Sequence, residues 1–392
     1  MSNRVVFSVN AVFSERDYNR YGIERFINNG FDVSVWDFHI ITGTGKDKSS
    51  SRFILNSRMR IEYICFDSIS EFKELIKKSS IDIFITTYKI TYGTFFIFNA
   101  LDKVSTFHVA TGAYTLNSLP TCRLEKKRGR VKHTLTGLFD IFFEKILITK
   151  YFSRVIRYSR ANLFLKSGGE KVQVAGPILK DSTMIKTIPS LDYNTFIGST
   201  YVECTNSDSI VFIDQGLPFH PDWSSLNLSV GLESKAYYKN LSLIFDKVEK
   251  LYKKPVVIAG HPKVESILDN NLWESRKVIY GCSNELIRNS YFVLTHYSTA
   301  VALAALYEKR IGFISLNSFK AAGLSNIIKC FAEQYKVTPF SETTLIEELK
   351  CHISSKEHSR KYVNDFVCPD VLSGSHGWQL AIDYMKQYHG QN

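Results

Sequence analysis

Short apolar runs separated by stretches of helical spacing recur along most of the chain. In the first half, residues 5–10 read as a strand, and residues 18–29 place apolar and aromatic side chains at helical spacing up to Gly30. Residues 31–38 alternate with period two, with Val33 and Val35 set against Ser34 and Trp36, as a strand does. Residues 42–51, rich in Gly and Ser, read as a loop. A helix is predicted over 70–78 behind a Ser cap, then strands over 81–86 and 106–110. After an interruption at 123–160, residues 161–165 resume a strand, and 172–176 with Pro177 close the unit.

The second half repeats this rhythm. Strands are predicted at 209–214, 255–259, 277–280, 291–295 and 311–315. Helices are predicted at 236–253, 267–273, 283–289, 298–308 and 378–388. Apolar strands alternating with helices imply parallel sheets covered on both faces. The expected fold is α/β, with two Rossmann-like domains facing a cleft. Residues 1–180 form the first domain, 181–207 read as an irregular polar linker, and 208–392 form the second, with a last helix able to cross back. A length of 392 residues suits two cores better than one.

Composition changes this picture little. Hydrophobic residues make 44% and charged residues 22%, ordinary for a globular chain. No leader-like segment opens the sequence, and no run of about 18 uncharged apolar residues occurs. Seven scattered cysteines without a CxxC pattern fit reduced thiols, hence a cytoplasmic setting.

Charge is more informative. Residues 1–180 hold 28 basic and 16 acidic residues, a net of +12, whereas 181–392 hold 21 and 22, a net of −1, so the first half carries the whole excess behind the chain's +11. Within it, residues 123–160 hold 11 basic and 3 acidic residues. Arg123, Lys126, Lys127, Arg128, Arg130 and Lys132 precede a stripe of Leu138, Phe139, Phe142, Phe143, Ile146 and Leu147. This basic and apolar pairing predicts docking on an anionic membrane surface; the plain alternative is a helix packed on the first domain. Basic charge confined to one half, with no RNA-binding module, argues against a nucleic-acid partner.

Three predicted strand ends in the second half carry polar groups. They are Asp214-Gln215-Gly216, Gly260-His261-Pro262-Lys263 and His296-Tyr297-Ser298-Thr299. In open α/β sheets, ligands bind outside the carboxyl ends of the strands. His261 and Lys263 offer charge-assisted bonds to a phosphate ester, and Ser298 with Thr299 opens a predicted helix whose free amides favour anions. Each feature also has a plain reading: a second His-Pro occurs at His220-Pro221, Ser298-Thr299 could merely cap its helix, and Asp214 could be a turn acid.

The His261-Pro262 and Ser298-Thr299 elements, in this order, resemble those of bacterial sialyltransferases and polysialyltransferase-like capsule enzymes of GT-B fold. The resemblance covers chiefly residues 209–316. It implies a metal-independent glycosyltransferase, without cofactor, moving a sialic-acid-like (nonulosonic acid) sugar from a CMP-sugar donor to a surface glycan or lipid-linked glycan, as in capsule or lipopolysaccharide biosynthesis. It places His261 on the CMP phosphate as a catalytic group and Ser298 and Thr299 beside it. Gln215, Gly216, Gly260, Pro262 and Lys263 would complete the donor site. The group's acidic pair before Gly, which holds the general base, is matched here only by Asp214-Gln215-Gly216, with Gln in place of the second acid.

The base is therefore also sought in the first half, near Glu15 and Asp17 or around His108, Thr111 and Gly112, which are the acceptor-side candidates; a core role for His108 is the plain alternative. No metal is expected, because no His, Asp or Glu group shows ligand spacing. The absence of GxxxxGK[ST], and of GxGxxG after the first strand, disfavours ATPases and dinucleotide enzymes. Two other readings stay open: a UDP- or GDP-sugar transferase or epimerase of the same architecture, and a non-enzymatic binder of membrane or nucleic acid.

Overall fold

The computed structural model describes residues 3–42, 59–111, 156–169, 171–172, 174, 176–199, 208–219, 232–265 and 270–389. Most of the basic and aromatic segment at 123–160 lies outside the described residues, as does His220.

Twelve strands form two sheets among the described residues. The first contains β1 (Arg4–Val9), β2 (Asp32–Asp37), β3 (Glu62–Cys65), β4 (Ile83–Thr86), β5 (Phe107–Ala110), β6 (Leu163–Ser167) and β7 (Met184–Ile188). Its order is β3-β2-β1-β4-β5-β6-β7. The second contains β8 (Ile210–Ile213), β9 (Val256–Gly260), β10 (Val278–Tyr280), β11 (Phe292–Thr295) and β12 (Ile311–Phe313), in the order β10-β9-β8-β11-β12. Every pairing between these strands is parallel. Both sheets run outward from their first strand in two directions, as doubly wound Rossmann-like sheets do.

The apolar runs explain the layering. In β1, Val5 and Phe7 join the core on one face, while Val6 joins the core on the other. In β8, Ile210 and Phe212 face the larger core of the second sheet and Val211 a smaller one. Strands covered on both faces need apolar residues at every position, so these read as continuous runs rather than alternating ones.

Three local expectations are corrected. Residues 181–207 are not irregular throughout: Met184–Ile188 pairs with β6 along five residues, and Leu191–Gly198 is helical behind the Ser190 cap. The helix predicted over 18–29 is two helices, Glu15–Arg20 and Ile23–Asn28, separated at Gly22 with φ 61°. A Cβ on Gly22 would meet the Trp378 ring at 2.8 Å, so the break admits that ring. The helix predicted from Ser298 runs only from Val301 to Leu306.

The terminal helix Gly377–His389 packs on the first sheet. Trp378, Ala381, Ile382 and Met385 enter the same core as Val5, Phe7 and Phe26, and Trp378 Nε1 donates to the Arg20 carbonyl at 2.8 Å.

Candidate functional site

The second sheet reverses its winding direction at β8, with β9 on one side and β11 on the other. The crevice expected at that switch point lies outside their carboxyl ends. Three loops leave from there: Asp214 to Gly216 after β8, His261 with the 3-10 turn Pro262–Val264 after β9, and His296 to Ala300 after β11. The three donor-side segments singled out in the sequence thus come together.

Asp214 lies beneath them, with 2% of its surface exposed. Its Oδ1 accepts the Gly216 N–H at 2.9 Å, while Oδ2 is buried without a partner of hydrogen-bond geometry. Burial pushes the carboxyl from its ordinary 3.8 up to about 6, and the backbone amides of Gly216, His261 and Gln215 pull the other way. This burial corrects the assignment of Asp214 as general base: turned onto its own loop and covered, the carboxylate does not face an acceptor hydroxyl.

Gln215 bridges to the next loop, its Oε1 accepting the Tyr297 N–H at 2.9 Å. Gly216 has φ 56°, and a Cβ there would meet Val264 Cγ1 at 2.7 Å, so the first loop rests directly on the His261 turn. Gly260 is equally constrained: its Cβ would clash with the Tyr280 ring. His261 is half-exposed and Pro262 exposed, and the Lys263 side chain lies outside the described residues.

Ser298 and Thr299 sit in the turn before the helix rather than in it. Ser298 Oγ accepts the Ala300 N–H at 3.2 Å, and Ala300 holds the cap position without a side-chain bond. Ser298 is half-buried and Thr299 exposed. The helix Val301–Leu306 is too short to act as a strong dipole. What this turn offers an anion is hydroxyls and turn amides rather than a helix dipole.

Two buried residues support this rim: His296, from one of the polar strand ends, and Tyr237, which the sequence did not mark. His296 is fully buried; Nδ1 donates to the Ile314 carbonyl at 2.7 Å and Nε2 accepts the Tyr237 O–H at 3.0 Å. Burial lowers its pKa to about 4, so the ring is neutral and acts as a fixed strut under Tyr297. Tyr237 comes from the helix Ser234–Tyr252, where its position in the helical stripe signals only a core residue.

The acceptor-side candidates fare differently. His108 is wholly buried in β5, its Nε2 within 3.0 Å of Thr86 Oγ1 and its Nδ1 within 3.1 Å of Ser159 Oγ. Burial drives its pKa to about 3. Both nitrogens are engaged, which corrects its candidacy as an acceptor contact: it is a satisfied core histidine. Thr111 follows β5 with its hydroxyl buried and unpartnered, and Gly112 lies outside the described residues. After β1, Glu15 is exposed and Asp17 half-buried, Asp17 Oδ2 accepting the Ser14 hydroxyl at 2.6 Å.

Among the described residues, one group could hold a metal: Asp37, His39 and Cys65, whose ligand atoms all lie within 4.8 Å of one another. Linear spacing hid it, because two strand ends supply it. Its carboxylate is already saturated. Oδ1 accepts the His39 N–H and ring Nδ1, each at 2.9 Å, and Oδ2 accepts Phe13 N–H at 3.3 Å and Tyr63 O–H at 2.8 Å. Both oxygens of this carboxylate are thus engaged within the protein.

The fold is that of the GT-B glycosyltransferases, two Rossmann-like domains. No family model matches the chain, and no curated protein matches it. Solved structures do. The wall teichoic acid polymerase TagF is 14% identical, covering 99% of this chain and 90% of its own, with a TM-score of 0.56. The calicheamicin glycosyltransferase CalG4 is 10% identical, covering 99% and 98%, with a TM-score of 0.55. MurG of Acinetobacter baumannii is 10% identical, covering 98% and 99%, with a TM-score of 0.50. A variant of TagF soaked with CDPG also matches, at a TM-score of 0.57. At these identities the likeness concerns the fold.

Proposed function

We propose that this protein is a metal-independent glycosyltransferase that moves a nonulosonic acid from a CMP-sugar to a surface glycan or lipid-linked glycan acceptor. The observation that carries the reading is the meeting of the His261 turn, the Asp214–Gly216 loop and the Ser298–Thr299 turn at the switch point of one sheet. A departing phosphate ester needs hydrogen-bond donors there, and the described His261, Ser298 and Thr299 would offer them. The acceptor oxygen attacks the anomeric carbon as the carbon–phosphate-oxygen bond breaks, and the acceptor proton passes to a base. With Asp214 buried, that base is drawn from the first domain, where Glu15 and Asp17 follow β1. Among the described residues no helix is long and apolar enough to cross a membrane. In this reading the enzyme works in the cytoplasm, and the 123–160 segment docks it on the anionic inner face of the membrane, where lipid-linked acceptors are presented.

Thermal shift with CMP, CTP, CDPG, UDP, GDP and ADP tests the donor class. A ligand at 100 times its dissociation constant stabilises by about 2.7 kcal/mol, so the ranking is readable. CMP and CTP should raise the melting temperature most, and His261→Ala should lose that shift. A larger shift with UDP or GDP points to a UDP- or GDP-sugar transferase or epimerase instead, and a larger one with CDPG to a donor of the kind soaked into the TagF variant.

A further inference from the structure

The geometry points to Asp214 and Gln215 as positioning residues that lock the two phosphate-facing loops to each other. This rests on the donor-site reading above and says what holds that site in shape.

Three loops hang from neighbouring strands, and loops of this kind normally move independently. Here each outer loop is tied to the central one. On one side, Gln215 Oε1 accepts the Tyr297 N–H at 2.9 Å, fixing the turn that carries Ser298 and Thr299. On the other, the buried Asp214 carboxylate accepts the Gly216 N–H at 2.9 Å and is faced by the His261 amide. That bond folds Gly216 into its left-handed conformation against Val264, the last residue of the turn that begins after His261. Val264 N–H in turn donates to the His261 carbonyl at 3.1 Å. The chain of contacts from Val264 through Gly216, Asp214 and Gln215 to Tyr297 is continuous. Its members are buried or half-buried, so water competes poorly for these bonds.

The chemistry at position 215 matters as much as its reach. A phosphate between the two outer loops is anionic, and a carboxylate at 215 would add a like charge at that rim. Glutamine makes the same acceptor bond without it. At 214 the charge is buried and turned toward amides, where it orders the backbone. A pair of adjacent residues at the end of one strand thus sets the separation of His261 from Ser298. Preorganised donors of this kind need no rearrangement when charge develops on the leaving group.

Amide hydrogen exchange followed by NMR, together with CMP titration, tests this on the full chain. Gln215→Ala should speed exchange at the Tyr297 amide at least tenfold while leaving the Gly216 amide as it was. Asp214→Ala should do the reverse, and Asp214→Asn, which keeps one acceptor oxygen, should restore protection at Gly216. Each alanine variant should weaken CMP binding about tenfold, with melting temperature within a few degrees of wild type. If Asp214→Ala does not fold, Gln215→Ala and Asp214→Asn still decide the matter. Unchanged exchange at Tyr297 in Gln215→Ala overturns the proposal, as does faster exchange without loss of CMP affinity. Failure of wild-type protein to bind any nucleotide would sink the donor reading instead, and the exchange pattern would still judge the clamp.

Discussion

A carboxyl with 2% exposure and a pKa raised to about 6 has a thermodynamic signature of its own. Asp214 takes up a proton more readily folded than unfolded, so its effect on stability is most favourable below its ordinary 3.8 and is lost as pH rises through about 6. The shift corresponds to about 3 kcal/mol between those limits. Asp214→Asn removes the titration. Denaturant unfolding at pH 4 and pH 7.5 should therefore show the variant gaining on wild type by up to about 3 kcal/mol toward the higher pH. A pH-independent difference would mean that Asp214 is not buried as a charge. His108 and His296 illustrate a related point. Both look like chemistry in the sequence, and both are neutral struts in the fold, because burial disfavours the imidazolium and each ring nitrogen has a partner. Side-chain identity reveals what a residue could do; only its surroundings decide which role it has.

At the scale of elements, the loop ends are set by backbone conformation as much as by side chains. Gly216 combines a φ of 56° with a 2.7 Å approach to the buried Val264. An alanine there meets left-handed strain of roughly 1–2 kcal/mol and an overpacking cost of about 1–3 kcal/mol. Gly216→Ala should lower the unfolding free energy by about 2–4 kcal/mol and displace the His261 turn. Gly198→Ala, with nothing within 4 Å of its Cβ, should be neutral or slightly stabilising when measured by urea unfolding. The strands that carry this site were legible because they are central. β8 and β9 carry no polar side chain, β11 carries none before Thr295, and all three lead straight into polar residues. The two strands that escaped the sequence, Glu62–Cys65 and Met184–Ile188, lie at the edges of the first sheet and are partly exposed. An edge strand lacks the full apolar cover that makes a run stand out, and polar residues there also discourage pairing with other chains. The break at Gly22 was hidden for another reason: its cause, Trp378, is more than 350 positions away in the chain.

The whole molecule is electrostatically lopsided, and that asymmetry has a use in the proposed reaction. Residues 1–180 carry a net +12 and the remainder a net −1, with +8 concentrated in residues 123–160. Donor binding belongs to the second domain in this reading, so the basic half is the one that meets the acceptor. A lipid-linked acceptor sits on a surface rich in anionic headgroups, where each nearby basic residue contributes about 1 kcal/mol. Four such residues, Lys126, Lys127, Arg128 and Arg130, precede a stripe of Leu138, Phe139, Phe142, Phe143, Ile146 and Leu147 that would add apolar insertion. If the stripe instead packs on the first domain, charge removal should change neither binding nor stability much. The two cases separate in a sedimentation assay with vesicles containing phosphatidylglycerol. Wild-type protein should sediment at low salt and be released as salt rises, because screening shortens the reach of the field. Replacing the four basic residues with Ser should abolish sedimentation while leaving the melting temperature nearly unchanged. Wild-type protein that stays in the supernatant at low salt would assign the stripe to the core and leave the acceptor to be met in solution.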